Sequence, residues 1–281
     1  MDALSTTQLV LIGLIFVWSG IVRSGLGFGG AVLSLPFFLL VADDPLLFLP
    51  PIAIHLLVFS GWITWQSHRK NQQARREQAQ AQTSAQANGQ TNEQTTTATP
   101  TQTASNVDWG FLKRALKIMI VPKIIGVIGL LTIEPRLMTV IIFGIVLVYA
   151  IGYVINRPVR SQHPWVERGL LMLGGYVSGT SLTGAPLIIS IFARHVAKHQ
   201  LRDTLFVLWF ILVTIKMISF LVAGVDLQLK AQLWAFPCAL VGHLIGQRLH
   251  QRLVAAETPQ FFRLLGLALI VISLVGLSGT I

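Results

Sequence analysis

Ser24-Gly25-Leu26-Gly27-Phe28-Gly29-Gly30 interrupts an apolar segment running from Gln8 to Val41, and Ser178-Gly179-Thr180-Ser181-Leu182-Thr183-Gly184 interrupts a second running from Val166 to Val196. An arm of about 12–17 residues on either side of a break reaches roughly 18–25 Å, short of the ~30 Å hydrocarbon core of a bilayer. Each segment is therefore predicted to be two half-helices meeting inside the membrane. Broken backbone at that depth must line a cavity or be buried in protein, because lipid cannot satisfy the freed amide groups.

The rest of the chain fits a membrane setting. Of 281 residues, 53% are hydrophobic and only 11% charged, outside the soluble globular range. Six further spans are predicted: Leu46–Gln66, Leu116–Thr132, Leu137–Ile155, Thr204–Ala223, Leu229–Arg248 and Phe261–Ser278. Asp2 comes before any Lys or Arg, so no basic leader region precedes the first segment, which is expected to be retained. Cys238 is the single cysteine, which excludes an intramolecular disulfide and a multi-cysteine metal site. No cofactor and no metal is expected.

A net charge of +10 invites a nucleic-acid reading, but the placement of the cations argues for orientation instead. Sixteen of the 21 Lys and Arg fall within Arg69–Lys117, Arg157–Arg168, Arg194–Arg202 and Arg248–Arg263. By the positive-inside rule these four stretches share the cytoplasmic face. Both ends of the second broken segment are then inside. The first is flanked by Asp2 and by Asp43-Asp44, so its ends are outside. The predicted fold is an all-α polytopic membrane protein of two inverted repeats, each a re-entrant broken-helix hairpin plus three transmembrane helices. Both termini are expected outside, in a bacterial inner membrane.

A gapless shift of 154 residues supports a duplication. It places Gly20, Ser24, Gly25, Gly30, Ala31, Leu33, Phe38 and Leu47 on Gly174, Ser178, Gly179, Gly184, Ala185, Leu187, Phe192 and Leu201. Pro122 and Gly126 pair with Pro237 and Gly242 after a one-residue slip. The expected organisation is a first hairpin and span over residues 1–70, a linker over 71–107, the rest of the first repeat over 108–156 and the second repeat over 157–281. The linker, rich in Gln, Thr, Ala and Asn, cannot bury a core and is expected to be disordered in the cytoplasm.

Helix ends inside a bilayer leave bare amide groups and a partial positive charge at each N-terminus. The second arms begin near Gly30 and Gly184, so two N-termini point toward the midplane. Gly25, Gly27, Gly29, Gly30, Gly179 and Gly184 would let an anion approach the backbone, with Ser24, Ser178, Thr180, Ser181 and Thr183 adding hydroxyl donors. The same small residues would also serve close helix packing. Arg23, Lys123 and Lys216 are cations deep in apolar sequence with no internal carboxylate to neutralise them, and a permeating anion would be a natural partner. Snorkelling or bonding to a helix C-terminus is the alternative for these cations. His243 and His55 also lie at membrane depth and are candidates for a proton relay, against the plainer reading of structural histidines.

Gly25-Leu26-Gly27-Phe28-Gly29-Gly30 followed by Pro36, together with Gly174-Gly175-Tyr176-Val177-Ser178-Gly179-Thr180-Ser181-Leu182-Thr183-Gly184-Ala185-Pro186, resembles the paired motifs of the TauE/SafE sulfite exporter family. The resemblance covers nearly the whole chain except the linker. Thr180, Ser181 and Thr183 stand where family members often carry a longer glycine run. The resemblance implies export of sulfite or a related organosulfonate. An inside-negative potential supplies about 2.3 kcal/mol per charge per 100 mV for outward anion movement, so carboxylate-based coupling is not required.

The expected partners are thus a small inorganic or organic sulfur anion and membrane lipid, not nucleic acid, and a homo-oligomer is compatible with this reading. Two rivals come from other classes. An intramembrane serine hydrolase would use Ser181 as nucleophile and His243 as base, but gives no reason for the break at Gly25–Gly30. A non-transporting structural membrane protein would use the breaks for packing alone.

Overall fold

The computed structural model describes residues 1, 4–26, 30–87, 107–155, 163–255 and 259–280. Among these residues ten helices are described: α1 (Thr6–Leu26), α2 (Gly30–Val41), α3 (Pro45–Ala87), α4 (Trp109–Thr132), α5 (Pro135–Ile155), α6 (Pro164–Ser181), α7 (Ala185–His195), α8 (Lys198–Val222), α9 (Leu229–Ala255) and α10 (Pro259–Thr280). Among the described residues there is no strand. Among the described residues five helices are long and apolar enough to cross a membrane, within α1, α3, α4, α5 and α8. The chain is a multi-pass membrane protein.

Both predicted breaks are present, but the arms differ in length from the sequence expectation. At 12 and 11 residues, α2 and α7 are half-helices. By contrast α1 has 21 residues, about 31 Å, long enough to cross the bilayer. The helix gains length because Ser24-Gly25-Leu26 winds into its last turn instead of breaking it. α6 ends at Ser181, where Leu182 takes the left-handed conformation with φ 59° and turns the chain toward α7.

A second difference concerns residues 71–87, expected to be disordered. They continue α3 as helix, consistent with a run of Gln, Ala, Arg and Glu that loses little rotamer freedom in a helix. Residues 88–106 of the expected linker lie outside the described residues, as do Gly27 and Gly29.

The most extensive helix pairings are α1 with α9, α4 with α6, and α5 with α10, followed by α3 with α8. Small residues bring the first two pairs to backbone contact. A Cβ on Gly242 would lie 2.0 Å from the carbonyl oxygen of Val17, and one on Gly126 would lie 2.3 Å from that of Tyr176. Membrane helices associate through such close approach, because burial of apolar side chains gains little against lipid tails. The effect is to clamp the first arm of each hairpin against a helix from the other half of the chain.

Candidate functional site

The two breaks meet at one cavity. Arg23, Gly30, Ala31 and Val32 line it from the first hairpin, Ser178, Leu182 and Ala185 from the second. Leu56 and Ser60 of α3 and Phe206, Trp209 and Val213 of α8 close the sides. The start of α2 and the start of α7 therefore border the same space, each with amide groups its own helix cannot use.

The three deep cations are all buried, but their partners differ. Lys123 Nζ donates to the carbonyl oxygen of Ser178 at 3.2 Å and to its hydroxyl at 3.1 Å. Lys216 Nζ donates to the carbonyl oxygens of Gly179 and Thr180 at 2.7 and 3.1 Å. Both lysines thus occupy the carbonyl end of α6, where orphan acceptors and the negative end of the helix dipole favour a cation. The alternative of bonding to a helix C-terminus is the one the lysines adopt.

Arg23 is different. It is 5% exposed, Nε and Nη2 have no hydrogen-bond partner among the described residues, and the guanidinium carbon lies 4.1 Å above the ring of Phe59. It lines the cavity from the last turn of α1.

The hydroxyls divide in the same way. Thr180 Oγ1 donates to the carbonyl oxygen of Val177 at 3.1 Å. Ser181 Oγ donates to that same oxygen at 3.1 Å and pairs with Thr183 Oγ1 at 2.6 Å. With the Ser181 proton on Val177, Thr183 donates to Ser181, and all three protons are committed within α6 and its turn. Ser178 accepts from Lys123 and faces the cavity with its own proton donated to none of the described residues. Gly30 and Gly184 serve packing: a Cβ on Gly184 would sit 2.3 Å from the carbonyl oxygen of Gly174, and one on Gly30 would sit 2.9 Å from Cβ of Arg23. Gly25 lies in the last turn of α1, and Gly179 faces α4, where a Cβ would meet the carbonyl oxygen of Lys123 at 2.3 Å.

The breaks are tied to the opposite half by a repeated arrangement that the sequence reading missed. Ser24 Oγ is hydrogen-bonded to Nδ1 of His243 on α9, as Ser178 Oγ is to Lys123 on α4. Three residues after each, Gly246 packs on Ile21 and Ser24, and Gly126 packs on Tyr176 and Gly179. The contacts therefore match Gly126 with Gly246, not with Gly242 as the proline-anchored alignment has it. The signal was available in the shared Lys123-x-x-Gly126 and His243-x-x-Gly246 spacing, one helix face carrying a polar side chain and a gap for backbone.

Ser181 and His243 do not form a dyad, since Ser181 is engaged with Val177 and Thr183 and His243 with Ser24. His55, 2% exposed, sits among Phe16, Phe59 and Phe236. At the far end of α6, Glu167 accepts from Arg194 at 2.7 Å and pairs with His195 at 2.9 Å, fastening the two arms of the second hairpin at their base.

A multi-pass helical protein with two broken segments converging on a buried arginine belongs to the architectural class of membrane transporters. The family model for the sulfite exporter TauE/SafE matches residues 94–277, and the chain belongs to that family. It is a transporter family and not an enzymatic one. No curated protein and no solved structure matches the chain.

Proposed function

We propose that this protein is a secondary transporter that exports a small sulfur oxyanion, sulfite or a related organosulfonate, across the bacterial cytoplasmic membrane. The observation that carries this reading is Arg23: a buried guanidinium with two nitrogens lacking partners among the described residues, on the wall of the cavity where both breaks meet. A charge held out of water without a partner is costly, and an anion in the cavity supplies the missing acceptors. The Ser178 hydroxyl and the starts of α2 and α7 provide further donors around the same space. The family description supports sulfur chemistry for the anion.

The two halves are taken as inverted repeats. In support, matching α1–α5 with α6–α10 turns the α1–α9 pair into the α6–α4 pair and leaves α3–α8 and α5–α10 unchanged. The loop cations support a cytoplasmic face for the α3 extension and for both ends of the second hairpin, with both termini outside. A hydrolase reading loses support, because its two residues are engaged elsewhere.

The test is flux in proteoliposomes against a panel of sulfite, thiosulfate, sulfate and sulfonates. The wild type should move at least one sulfur anion, and Arg23→Gln should abolish that movement. Unchanged flux in a well-folded Arg23→Gln protein, or no flux of any of these anions in the wild type, would overturn the reading.

A further inference from the structure

Buried polar atoms with no hydrogen-bond partner among the described residues occur on α5 and α10, at Thr139 Oγ1, Tyr149 Oη and Ser273 Oγ, and, beyond the cavity, in succession from α1 to α3 and α9. Arg23 Nε and Nη2 come first, His55 Nε2 second, and Oε1 and Nε2 of Gln232 last. Gln232, Phe236 and His243 are spaced to share one face of α9, and His55 and Phe59 are one turn apart on α3. From His243 to Gln232 the stripe covers eleven residues, about 16 Å. The Gln232 amide lies beside the His55 ring, yet no hydrogen bond of adequate geometry joins them.

One aromatic side chain packs against Arg23, His55 and Phe236 alike. The Phe59 ring, 3% exposed, lies 4.1 Å beneath the Arg23 guanidinium, 4.6 Å from the His243 ring, and stacked on Phe236 at 5.6 Å and 11°. It belongs to the residue run that also places Leu56 and Ser60 on the cavity wall.

Buried polar atoms at membrane depth normally find a partner, so several in succession along one seam point to something that visits them. The visitor's charge can be read from the lining. The Arg23 guanidinium only donates, the Gln232 amide and a neutral His55 ring can each donate as well as accept, and α1, α9 and residues 45–76 of α3 contain no Asp or Glu. A cation would find no counter-charge there. The facing region of α4 and α8 presents Leu112, Leu208 and Leu212, all fully buried in an apolar cluster.

We infer that His55 and Gln232 form a second anion station, at the Leu229 end of α9, with the Phe59 ring as a gate between it and the Arg23 cavity. This rests on the transport reading above and adds the route. Met1 lies at the same end of the molecule, its amino group donating to Oε1 of Gln228 at 2.9 Å, and in the proposed topology that end is outside. The gate follows from shared use of Arg23. An empty cavity leaves the guanidinium to the face of Phe59, whereas an anion competes for the same charge, loosens that contact and frees the ring to rotate. The sulfur anion then meets the His55 and Gln232 donors on its way out.

The experiment pairs sulfite flux in proteoliposomes with sulfite-induced thermal stabilisation in detergent, for the wild type, His55→Leu, Gln232→Leu and Phe59→Ala. Both Leu variants should fold with unchanged or higher melting temperature, since each removes an unpartnered polar group. They should keep the sulfite-induced stabilisation and lose tenfold or more of the flux, while Phe59→Ala should conduct faster than wild type. Wild-type flux in both Leu variants overturns the station, as does a parallel loss of binding and flux, which would merge these residues with the Arg23 site. A wild type with neither flux nor stabilisation fails at the transport reading instead, and takes the station with it. If a Leu variant does not fold, Gln232→Cys in a Cys238→Ala background decides: an anionic thiol reagent added from outside should modify it, more slowly with sulfite present. A cysteine inert in the folded protein sinks the proposal.

Discussion

Lys216 places Nζ 2.7 Å from the carbonyl oxygen of Gly179, thirty-seven residues earlier in the chain, and so ties α8 to the end of α6 at the second break. Lys123 does the same from α4 through Ser178. The second break is thus held by cations already satisfied by the protein, and the first carries Arg23, two of whose nitrogens have no partner among the described residues. The two kinds of residue should respond in opposite ways to loss of charge.

Replacing Lys216 or Lys123 by Met should destabilise the protein by roughly 1–3 kcal/mol each, the usual cost when buried carbonyls lose a charged donor. Arg23→Gln should leave stability unchanged or raised, because it removes an uncompensated buried charge. Thermal unfolding in detergent separates them. Undiminished stability in Lys216→Met, with anion affinity lost, would return that lysine to the substrate path.

Gly242→Ala should prevent assembly of the α1–α9 pair, since the new methyl would stand 2.0 Å from the Val17 carbonyl oxygen on rigid backbone. Gly144→Ala is the control. A Cβ there meets nothing within 4 Å, and alanine should stabilise α5 by up to about 1 kcal/mol. Expression and melting temperature of the two variants check the contrast, and a well-folded Gly242→Ala protein would show that the helices can separate without loss.

What could be read in the sequence and what could not follows from the range of the interactions. The breaks at Ser24–Gly30 and Ser178–Gly184 are local composition, and glycine and serine clusters in apolar sequence announce them. The buried cations were equally visible as charges in apolar runs. Their partners were not, because Lys123 meets Ser178 across 55 residues and Ser24 meets His243 across 219. Arm length failed for a similar reason: whether Ser24-Gly25-Leu26 ends or extends α1 depends on α9 packed beside it, through contacts such as that of Gly246 with Ser24. The helical state of residues 71–87 was legible in their Gln, Ala and Arg content, but composition that cannot build a core was read as composition that cannot build a helix.

Topology can be checked with single cysteines in a Cys238→Ala background. A cysteine at Ser5, exposed just before α1, should react with an impermeant reagent in intact cells, and one at Gln73, exposed on the α3 extension, should react only after the membrane is opened. Protection of the Ser5 position in intact cells would remove the inverted arrangement, because the first hairpin would no longer enter from the outer face.

Hydroxyls at the second break should differ in their effect on anion binding, although all four look alike in sequence. Ser178 alone faces the cavity with a proton not given to any described residue, so Ser178→Ala should weaken anion binding by about 1 kcal/mol, roughly fivefold. Thr180→Ala and Ser181→Ala remove protons already donated to the Val177 carbonyl and should leave affinity within twofold of wild type, with at most a small loss of stability. Ser178→Ala also takes one acceptor from Lys123, but the Ser178 carbonyl oxygen stays at 3.2 Å, so the lysine remains anchored and the affinity change can be attributed to the missing hydroxyl. Titration of sulfite against intrinsic tryptophan fluorescence gives the comparison, since Trp209 lines the same cavity. Equal losses in all three variants would mean that the turn rearranges to present every hydroxyl, and the division between committed and available donors would fall.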